Sequence, residues 1–182
     1  MNHSPSVVAP DQKAFRRALS RLPTSVVVVT AMHADRPIGM VVGTFTSVSL
    51  EPPLVGYLGA LGSSTASLLR AADQVSCSVL HESDLDVVKA FARPPASRFD
   101  GVAWELDTEF QVPVLTRAPL TVFARPVGAT DAGDHVFVVH DVLALRTAGP
   151  ARPLVFCGGR LSRMDPGHIV DSDFWQLGWE DL

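Results

Sequence analysis

The alternation of apolar and polar positions predicts a chain built mainly from strands. Residues 24–31 (TSVVVVTA) form a continuous β-branched run, which is typical of a strand buried on both faces. Residues 38–50 alternate with a period of two, and Gly39 and Gly43 mark positions where the strand bends or is closely approached. Residues 118–147 predict a hairpin of two long strands joined at the polar sequence DAGD. Further strands are predicted at residues 54–60, 75–80 and 153–159.

Three short helices are predicted between the strands, at residues 11–20, within residues 62–75 and at residues 83–92. The first carries an apolar face made of Ala14, Phe15, Ala18 and Leu19. The last carries a stripe that we expect to be buried, made of Leu85, Val88 and Phe91. Six or seven strands with only three short helices favour an antiparallel barrel over a parallel sheet.

The length and composition predict one folded domain with short appendages. The chain has 182 residues, of which 47% are hydrophobic and 19% charged, and this composition excludes a disordered chain. We expect residues 1–10 to be a disordered tail and residues 11–164 to form the domain. Residues 165–182 form a C-terminal extension in which Trp175 and Trp179 have the spacing of a helix.

Charge and cysteine content narrow the classes of function. The net charge of −4 argues against nucleic-acid binding. No apolar run approaches the ~20 residues of a membrane helix, and the N-terminus does not resemble a signal peptide, so we expect a cytoplasmic protein. Cys77 and Cys157 are too few for a disulfide scaffold or a zinc site, and both are expected to be buried. His135 and His140 are five residues apart on one strand and point to opposite faces, so no metal site is predicted.

Three segments carry residue types that suit ligand binding, and each also has an ordinary structural explanation. Residues 39–53 carry small and hydroxyl side chains before a proline pair, which suits backbone contacts to a flat heteroaromatic ring or a half-exposed strand. Residues 61–67 place hydroxyls and free N–H groups at a helix N-terminus, which suits a phosphate or a simple N-cap. Arg98, in residues 97–104, either adds donors to the same phosphate or is a solvated loop residue.

Taken in order, these segments resemble the flavin reductase-like family, the small FMN-binding split barrels that pass hydride from a nicotinamide to a flavin. The resemblance runs from Phe15 to Met164. It is carried by AFRRALSRLPTSVVVVTA, GMVVGTFTSVSLEPPLVGYL, LGSSTASLL, FARPPASRFDGVAWE, AGDHVFVVHDVLAL and PLVFCGGRLSRM. The fold that it implies is a mainly β, split antiparallel β-barrel of Greek-key type with a few short helices.

The resemblance also implies a cofactor site and one catalytic residue. The flavin ring and ribityl chain would be lined by Val41, Val42, Gly43, Thr44, Phe45, Ser47 and Val48. Ser63, Ser64 and Thr65 would hold the flavin phosphate, and Arg98 and Phe99 would close over it from the long loop. His135, in the sequence GDH, would lie at the open face of the ring and position the nicotinamide.

The implied activity is an NAD(P)H-dependent flavin reductase that supplies reduced flavin to a separate monooxygenase. FMN is the expected flavin, because FAD needs extra room beyond the phosphate, and either NADH or NADPH is the hydride donor. A barrel this small leaves the flavin partly uncovered, so the resemblance implies a homodimer. The tail aromatics Phe174, Trp175 and Trp179 are candidates for that interface.

One departure from the family pattern keeps two alternatives open. Where relatives often carry an aromatic residue and an Arg after the final strand, this chain has Cys157 and Gly158. The first alternative is a flavoenzyme that retains FMN and acts on a small organic substrate. The second is a flavin-binding protein without turnover.

Overall fold

The structure, a computed structural model, describes residues 11–148 and 152–163. Within these residues lie three α-helices, α1 (Gln12–Leu19), α2 (Ser64–Arg70) and α3 (Leu85–Phe91), and a single 3₁₀ turn at Pro95–Ser97. The strands are β1 (Thr24–Ser25), β2 (Val27–His33), β3 (Arg36–Val42), β4 (Thr46–Ser49), β5 (Leu54–Ala60), β6 (Val75–Val79), β7 (Trp104–Leu106), β8 (Pro113–Leu115), β9 (Leu120–Ala132), β10 (His135–Thr147), β11 (Leu154–Cys157) and β12 (Arg160–Arg163).

Seven of the strands form one antiparallel sheet in the order β3-β2-β6-β9-β10-β5-β4. The sheet curls until β3 approaches β5, and the apolar side chains on its inner side make up the barrel core. Two smaller sheets, β1-β11-β12 and β7-β8, complete the described strands. The architecture is therefore mainly β and antiparallel, as the strand pattern predicts, and the turn of the long hairpin lies at DAGD.

The β-branched run in β2 is buried on both faces because it separates two cores. Val27 and Val29 face the barrel core, which also contains Tyr57, Cys77 and Val136. Val26 and Val28 face a second core. The second core lies against α3 and includes Leu80, Val87, Phe91 and Leu154. Both alternating faces of the run therefore contact apolar groups, which explains why its sequence does not alternate.

Both long strands predicted near the N-terminus are broken in the structure. The run at residues 24–31 changes sheets at Val26, because Ser25 pairs with Val155 of β11 whereas Val27 pairs with Val42 of β3. Residues 38–50 divide into β3 and β4, and residues 43–45 lie outside both strands. The second break coincides with Gly43, one of the two glycines at which a bend was expected.

Three predictions of burial or extent are wrong. In α3 the buried side chains are Val87, Ala90 and Phe91, and Leu85 is exposed because, two residues before Val87, it lies on the opposite side of the helix. Cys77 is buried in the barrel core, but Cys157 is only half-buried, at the end of β11. The strand predicted at 153–159 ends at a turn of Gly158 and Gly159, whose positive φ angles favour glycine, and a further strand, β12, follows.

Candidate functional site

The segment expected to contact the flavin ring lies along the edges of the main sheet. β3 and β4 are the two edge strands, so each leaves one side of its backbone without a ladder partner in this sheet. The side chain of Val42 is buried in the barrel core, and that of Val41 packs against the second core. These two residues therefore offer a ligand their backbone rather than their side chains.

The turn between β3 and β4 is open on the surface. Gly43, Thr44, Ser47 and Val48 are exposed, and Phe45 is half-buried against the barrel core. The Thr44 hydroxyl accepts a hydrogen bond from the N–H of Leu58 at 2.9 Å, which ties the turn to β5. A Cβ added at Gly43 would lie 3.2 Å from the Thr24 hydroxyl oxygen, so this position has little space for a larger residue. The turn is thus held in place while its backbone stays accessible.

The expected phosphate loop is the start of α2. The Ser63 hydroxyl caps the helix by accepting a hydrogen bond from the N–H of Ala66 at 3.2 Å. Ser64 is exposed and Thr65 is buried. Within the described residues the N–H groups of Ser64 and Thr65 have no hydrogen-bond partner, as is usual in the first turn of a helix. These two N–H groups and the Ser64 hydroxyl are the donors that remain for an anion.

Arg98 joins the phosphate loop to the edge strand. Its Nη1 donates to the carbonyl oxygen of Gly39 at 2.8 Å and to the Thr65 hydroxyl at 3.1 Å. Its Nε donates to the carbonyl oxygen of Arg93 at 3.2 Å, while Nη2 forms no hydrogen bond within the described residues. The expectation that Arg98 approaches Thr65 agrees with this geometry, in which one nitrogen stays available beside the loop.

The strand that accepts this hydrogen bond is closely packed at Gly39. A Cβ at Gly39 would lie 2.9 Å from a ring carbon of Phe91 and 2.9 Å from Cγ2 of Thr30. The ring of Phe99 makes edge-to-face contacts with Phe91 and Trp104, at centroid distances of 5.2 and 5.6 Å. Phe99 therefore anchors the loop that carries Arg98.

His135 is the first residue of β10 and lies next to the expected phosphate loop. It pairs with Ala60 of β5, whose carbonyl oxygen accepts the N–H of Ser63 at 3.0 Å. The side chain is 43% exposed, and its Nδ1 lies 2.6 Å from Oδ1 of Asp134. The hydrogen bond to His135 lowers the pKa of Asp134. His140, on the opposite face of β10, is fully buried, as the odd spacing predicts.

Two features of this region were missed from the sequence. Asp134 directly precedes His135, so its contact with the imidazole could have been expected from adjacency alone. The second is an apolar groove of about 500 Å³ that borders Gly43 and Thr44. Its apolar lining consists of Phe15, Leu19, Leu22 and Phe156. Phe15 and Leu19 were expected on the apolar face of the first helix, but no local signal brings Phe156 of β11 beside them.

Among residues 11–148 and 152–163, no three side chains of His, Cys, Asp or Glu gather as a metal ion would require. No helix in those ranges is long and apolar enough to cross a membrane.

Known proteins similar to this chain are flavin reductases. Residues 19–165 match the family described as flavin reductase like domain. The FMN reductase (NADH) SmoA of Agrobacterium fabrum is 39% identical over 154 residues, which are 84% of this chain and 86% of that protein. The flavin-dependent monooxygenase reductase subunit HsaB of Mycobacterium tuberculosis is 30% identical over 159 residues, which are 86% of this chain and 84% of that protein.

A solved structure extends the likeness to the fold. The NADH:FAD oxidoreductase SgcE6 of Streptomyces globisporus, in complex with NAD and FAD fragments, superposes with a TM-score of 0.83. It is 30% identical in sequence, and the superposition covers 89% of this chain and 98% of that one. These comparisons confirm the split-barrel fold and an NAD(P)H:flavin oxidoreductase with flavin and NADH as cofactors. The chain belongs to the flavin reductase-like family.

Proposed function

We propose that this flavin reductase binds its flavin across the β3–β4 turn and the start of α2, and that it supplies reduced flavin to a separate monooxygenase. The observation that carries the site is the bridge made by Arg98 between the Gly39 carbonyl and the Thr65 hydroxyl. It joins the edge strand proposed for the ring to the loop proposed for the phosphate. The reductase subunit HsaB, a relative of this chain, supports the monooxygenase as partner.

The donors in this region fit a flavin phosphate. The N–H groups of Ser64 and Thr65, the Ser64 hydroxyl and Nη2 of Arg98 all lack partners within the described residues. An anionic phosphate is stabilised by such charge-assisted hydrogen bonds. The exposed backbone of residues 43–48 offers N–H and C=O groups to the polar edge of the ring. Donors directed at a ring edge where negative charge gathers on reduction also favour the reduced form.

The bound flavin supplies the acceptor for hydride, and the protein supplies binding and orientation. We propose that His135 positions the nicotinamide, since hydride transfer itself needs no protein acid. Its contact with Asp134 holds the imidazole by Nδ1 and leaves Nε2 to face a ligand. His135 is half-exposed beside the phosphate loop, where a second nucleotide has access.

The activity is tested by NADH and NADPH oxidation measured with FMN, with FAD and with no added flavin. Turnover that depends on added flavin is expected. Turnover with a small organic acceptor on flavin that stays bound would instead support the retaining flavoenzyme. If the protein binds flavin but oxidises neither NADH nor NADPH, the proposal is refuted, and the alternative of a flavin-binding protein without turnover is supported.

The phosphate site is tested by the double variant Ser64→Ala with Arg98→Ala. Flavin binding is expected to weaken by about 2–4 kcal/mol, because charge-assisted hydrogen bonds are lost. Isothermal titration measures the affinity, and Arg93→Ala is the matched control because the side chain of Arg93 bonds only within its own loop, to the carbonyl of Asp100. Unchanged affinity in the double variant would refute the assignment.

The role of His135 is tested separately. His135→Ala is expected to lower turnover by about 10-fold or more while flavin affinity stays nearly unchanged, since positioning contributes to rate through orientation. His33→Ala, an exposed histidine at the end of β2, is the control. Loss of flavin binding with normal turnover per bound flavin would make His135 a flavin anchor instead.

We propose that the working unit is a homodimer that uses the apolar groove beside the flavin segment. Phe15 is 54% exposed and Leu19 is 47% exposed, and no residue of α1 is buried. An exposed apolar patch at the rim of a cofactor site suits a second subunit that covers both. The candidate aromatics Phe174, Trp175 and Trp179 lie outside the described residues, and their place in the interface remains part of this proposal.

Light scattering after size-exclusion chromatography tests the dimer. Leu19→Glu is expected to yield monomers, because a second subunit on the groove would bury the introduced carboxylate. Flavin binding should weaken as well, because the second subunit no longer covers the flavin. Leu145→Glu is the control, since Leu145 is exposed on the long hairpin. A dimer that is unaffected by Leu19→Glu would place the interface elsewhere.

We also propose that the protein is cytoplasmic. The half-exposed free thiol of Cys157 suits a reducing compartment, which supports this proposal.

A further inference from the structure

A second groove lies beside the Arg98 bridge. It has a volume of about 490 Å³ and is formed between the first residues of β3 and the long loop after α3. The residues that line it include Arg36, Pro37, Pro95, Phe99, Asp100 and Trp104. Apart from Phe99, which the resemblance places at the flavin phosphate, none of these residues belongs to the proposed flavin site.

Two chain segments contribute both to this groove and to the Arg98 bridge. On the strand side, Ile38 lines the groove and the next residue, Gly39, accepts the hydrogen bond from Arg98. On the loop side, Phe99 lines the groove and the preceding residue, Arg98, makes that bond. The groove and the Arg98 bridge are therefore built on the same two segments, on residues that are neighbours in sequence.

The lining suits a flat base attached to an anion. Phe99 and Trp104 are both half-buried, so part of each ring faces the groove, and two prolines add apolar surface. Aromatic faces of this kind stack nucleobases. Arg36 is exposed and forms no ion pair with any of the described residues, Asp100 included. Its guanidinium is therefore available to a phosphate, while the Asp100 carboxylate can accept from a ribose hydroxyl or an exocyclic amine.

We propose that this groove binds the adenosine monophosphate half of a dinucleotide, supplied either by FAD or by NADH. The proposal rests on the proposed function, because the flavin phosphate at Ser64, Thr65 and Arg98 sets where the second half begins. FMN lacks the adenosine half and would leave the groove empty. Relatives of this chain include both an FMN reductase and an NADH:FAD oxidoreductase, so a site for this half would decide which flavin the chain prefers.

The test compares ligands that differ only in the adenosine half. Isothermal titration gives the affinities for FMN and FAD, and steady-state kinetics with FMN as acceptor give KM for NADH and for reduced nicotinamide mononucleotide. The variants are Arg36→Ala and Trp104→Leu, with Arg36→Lys as the control that retains the charge. Arg36 is exposed, so its substitution leaves folding intact even if Trp104→Leu destabilises the loop.

The outcomes separate the two sources. If FAD occupies the groove, Arg36→Ala weakens FAD about 5- to 10-fold and leaves FMN within about twofold of wild type, as expected for one charge-assisted phosphate contact. If NADH occupies it, KM for NADH rises by a similar factor and KM for reduced nicotinamide mononucleotide does not. Equal weakening of FMN and FAD, or wild-type values for all four ligands, would overturn the proposal.

A third measurement keeps the groove testable if the proposed function fails. Adenosine monophosphate is titrated into the wild-type chain and into Arg36→Ala, each saturated with FMN when FMN binds. Weaker binding by Arg36→Ala supports the groove, and equal binding refutes it. Absence of flavin reduction by the wild type with every flavin would refute the proposed function alone, because adenosine monophosphate binding is measured without turnover.

Discussion

Acidification should destabilise the barrel through His140. The imidazole is fully buried in the interior, and it stacks on the ring of Tyr57 at a centroid distance of 5.2 Å with an interplanar angle of 23°. Among the described residues, neither ring nitrogen has a hydrogen-bond partner, and the same is true of the Tyr57 hydroxyl. Burial lowers the pKa of His140 to about 4 from the usual 6.5 and raises the pKa of Tyr57. The folded protein therefore holds this histidine neutral over a wide range of pH.

The sign and size of the effect follow from the two pKa values. As pH falls below 6.5 the unfolded chain takes up a proton at this position, whereas the folded chain does so only near pH 4. The free energy of unfolding therefore decreases as pH falls between these values. At pH 5 the loss is about 2 kcal/mol relative to pH 8, and the full shift corresponds to a loss of about 3 kcal/mol.

Urea unfolding at a series of pH values from 8 to 4 measures this loss, and His140→Phe is the diagnostic variant. Phenylalanine keeps a ring on Tyr57 but does not titrate, so the variant should lose most of the pH dependence in this window. It should be no less stable than wild type at pH 8, because two unpartnered nitrogens are removed from the interior. His33→Phe, at an exposed site, should keep the wild-type profile. A His140→Phe profile with the wild-type slope would refute the reasoning.

Three further variants probe close packing and polar contacts, and urea unfolding at pH 7 measures the free energy of unfolding of each. Gly56→Ala should destabilise by about 1–3 kcal/mol through overpacking, since its Cβ would lie 2.6 Å from Cζ of Phe137; an unchanged midpoint would show that the ring moves aside freely. Asp107→Asn should cost about 1–3 kcal/mol, because the carboxylate accepts two backbone N–H bonds and pairs with Arg146. These contacts lower the pKa of Asp107, so the difference should shrink as pH falls through that lowered value, and a pH-independent difference would contradict an ionic origin. Thr30→Val should lower the free energy of unfolding by about 1–3 kcal/mol, because the carbonyl of Pro113 in β8 loses the hydrogen bond from the Thr30 hydroxyl. A neutral effect would mean that the hydrogen bond from the Ser76 hydroxyl to the same carbonyl is sufficient.

The elements whose signal is local were predicted well. The alternating or β-branched patterns of β5, β6, β9 and β10 are properties of short segments, and the structure places strands there. The DAGD turn was predicted for the same reason, since polar and glycine residues between two apolar runs favour a hairpin. The break at Gly43 coincides with a glycine at which a bend was expected. The break at Val26 was not predicted, because a change of partner strand leaves no mark within a β-branched run.

In the candidate site, too, the sequence indicated the residues but not all of their contacts. Arg98, Thr65 and Ser64 were singled out by residue type and by resemblance, and the structure brings Arg98 against Thr65. The sequence did not predict that Nη1 would also bind the Gly39 carbonyl, 59 residues away along the chain. That Phe99 closes over the phosphate stays a prediction; its ring packs with Phe91 and Trp104 and lines the neighbouring groove.

The sequence by itself determined a mainly β chain, its family and most of the residues of its candidate site, since periodicity and short motifs are encoded within a few neighbouring positions. Only the tertiary structure decided which backbone stays unpaired, because edge and centre strands have similar compositions and differ in their neighbours. The tertiary structure also forms the two grooves, one bordered by the first residues of β3 and the other by the turn after β3. Each groove is lined by segments far apart in sequence, and a surface of that kind exists only after the sheet has curled and the loops have packed on it.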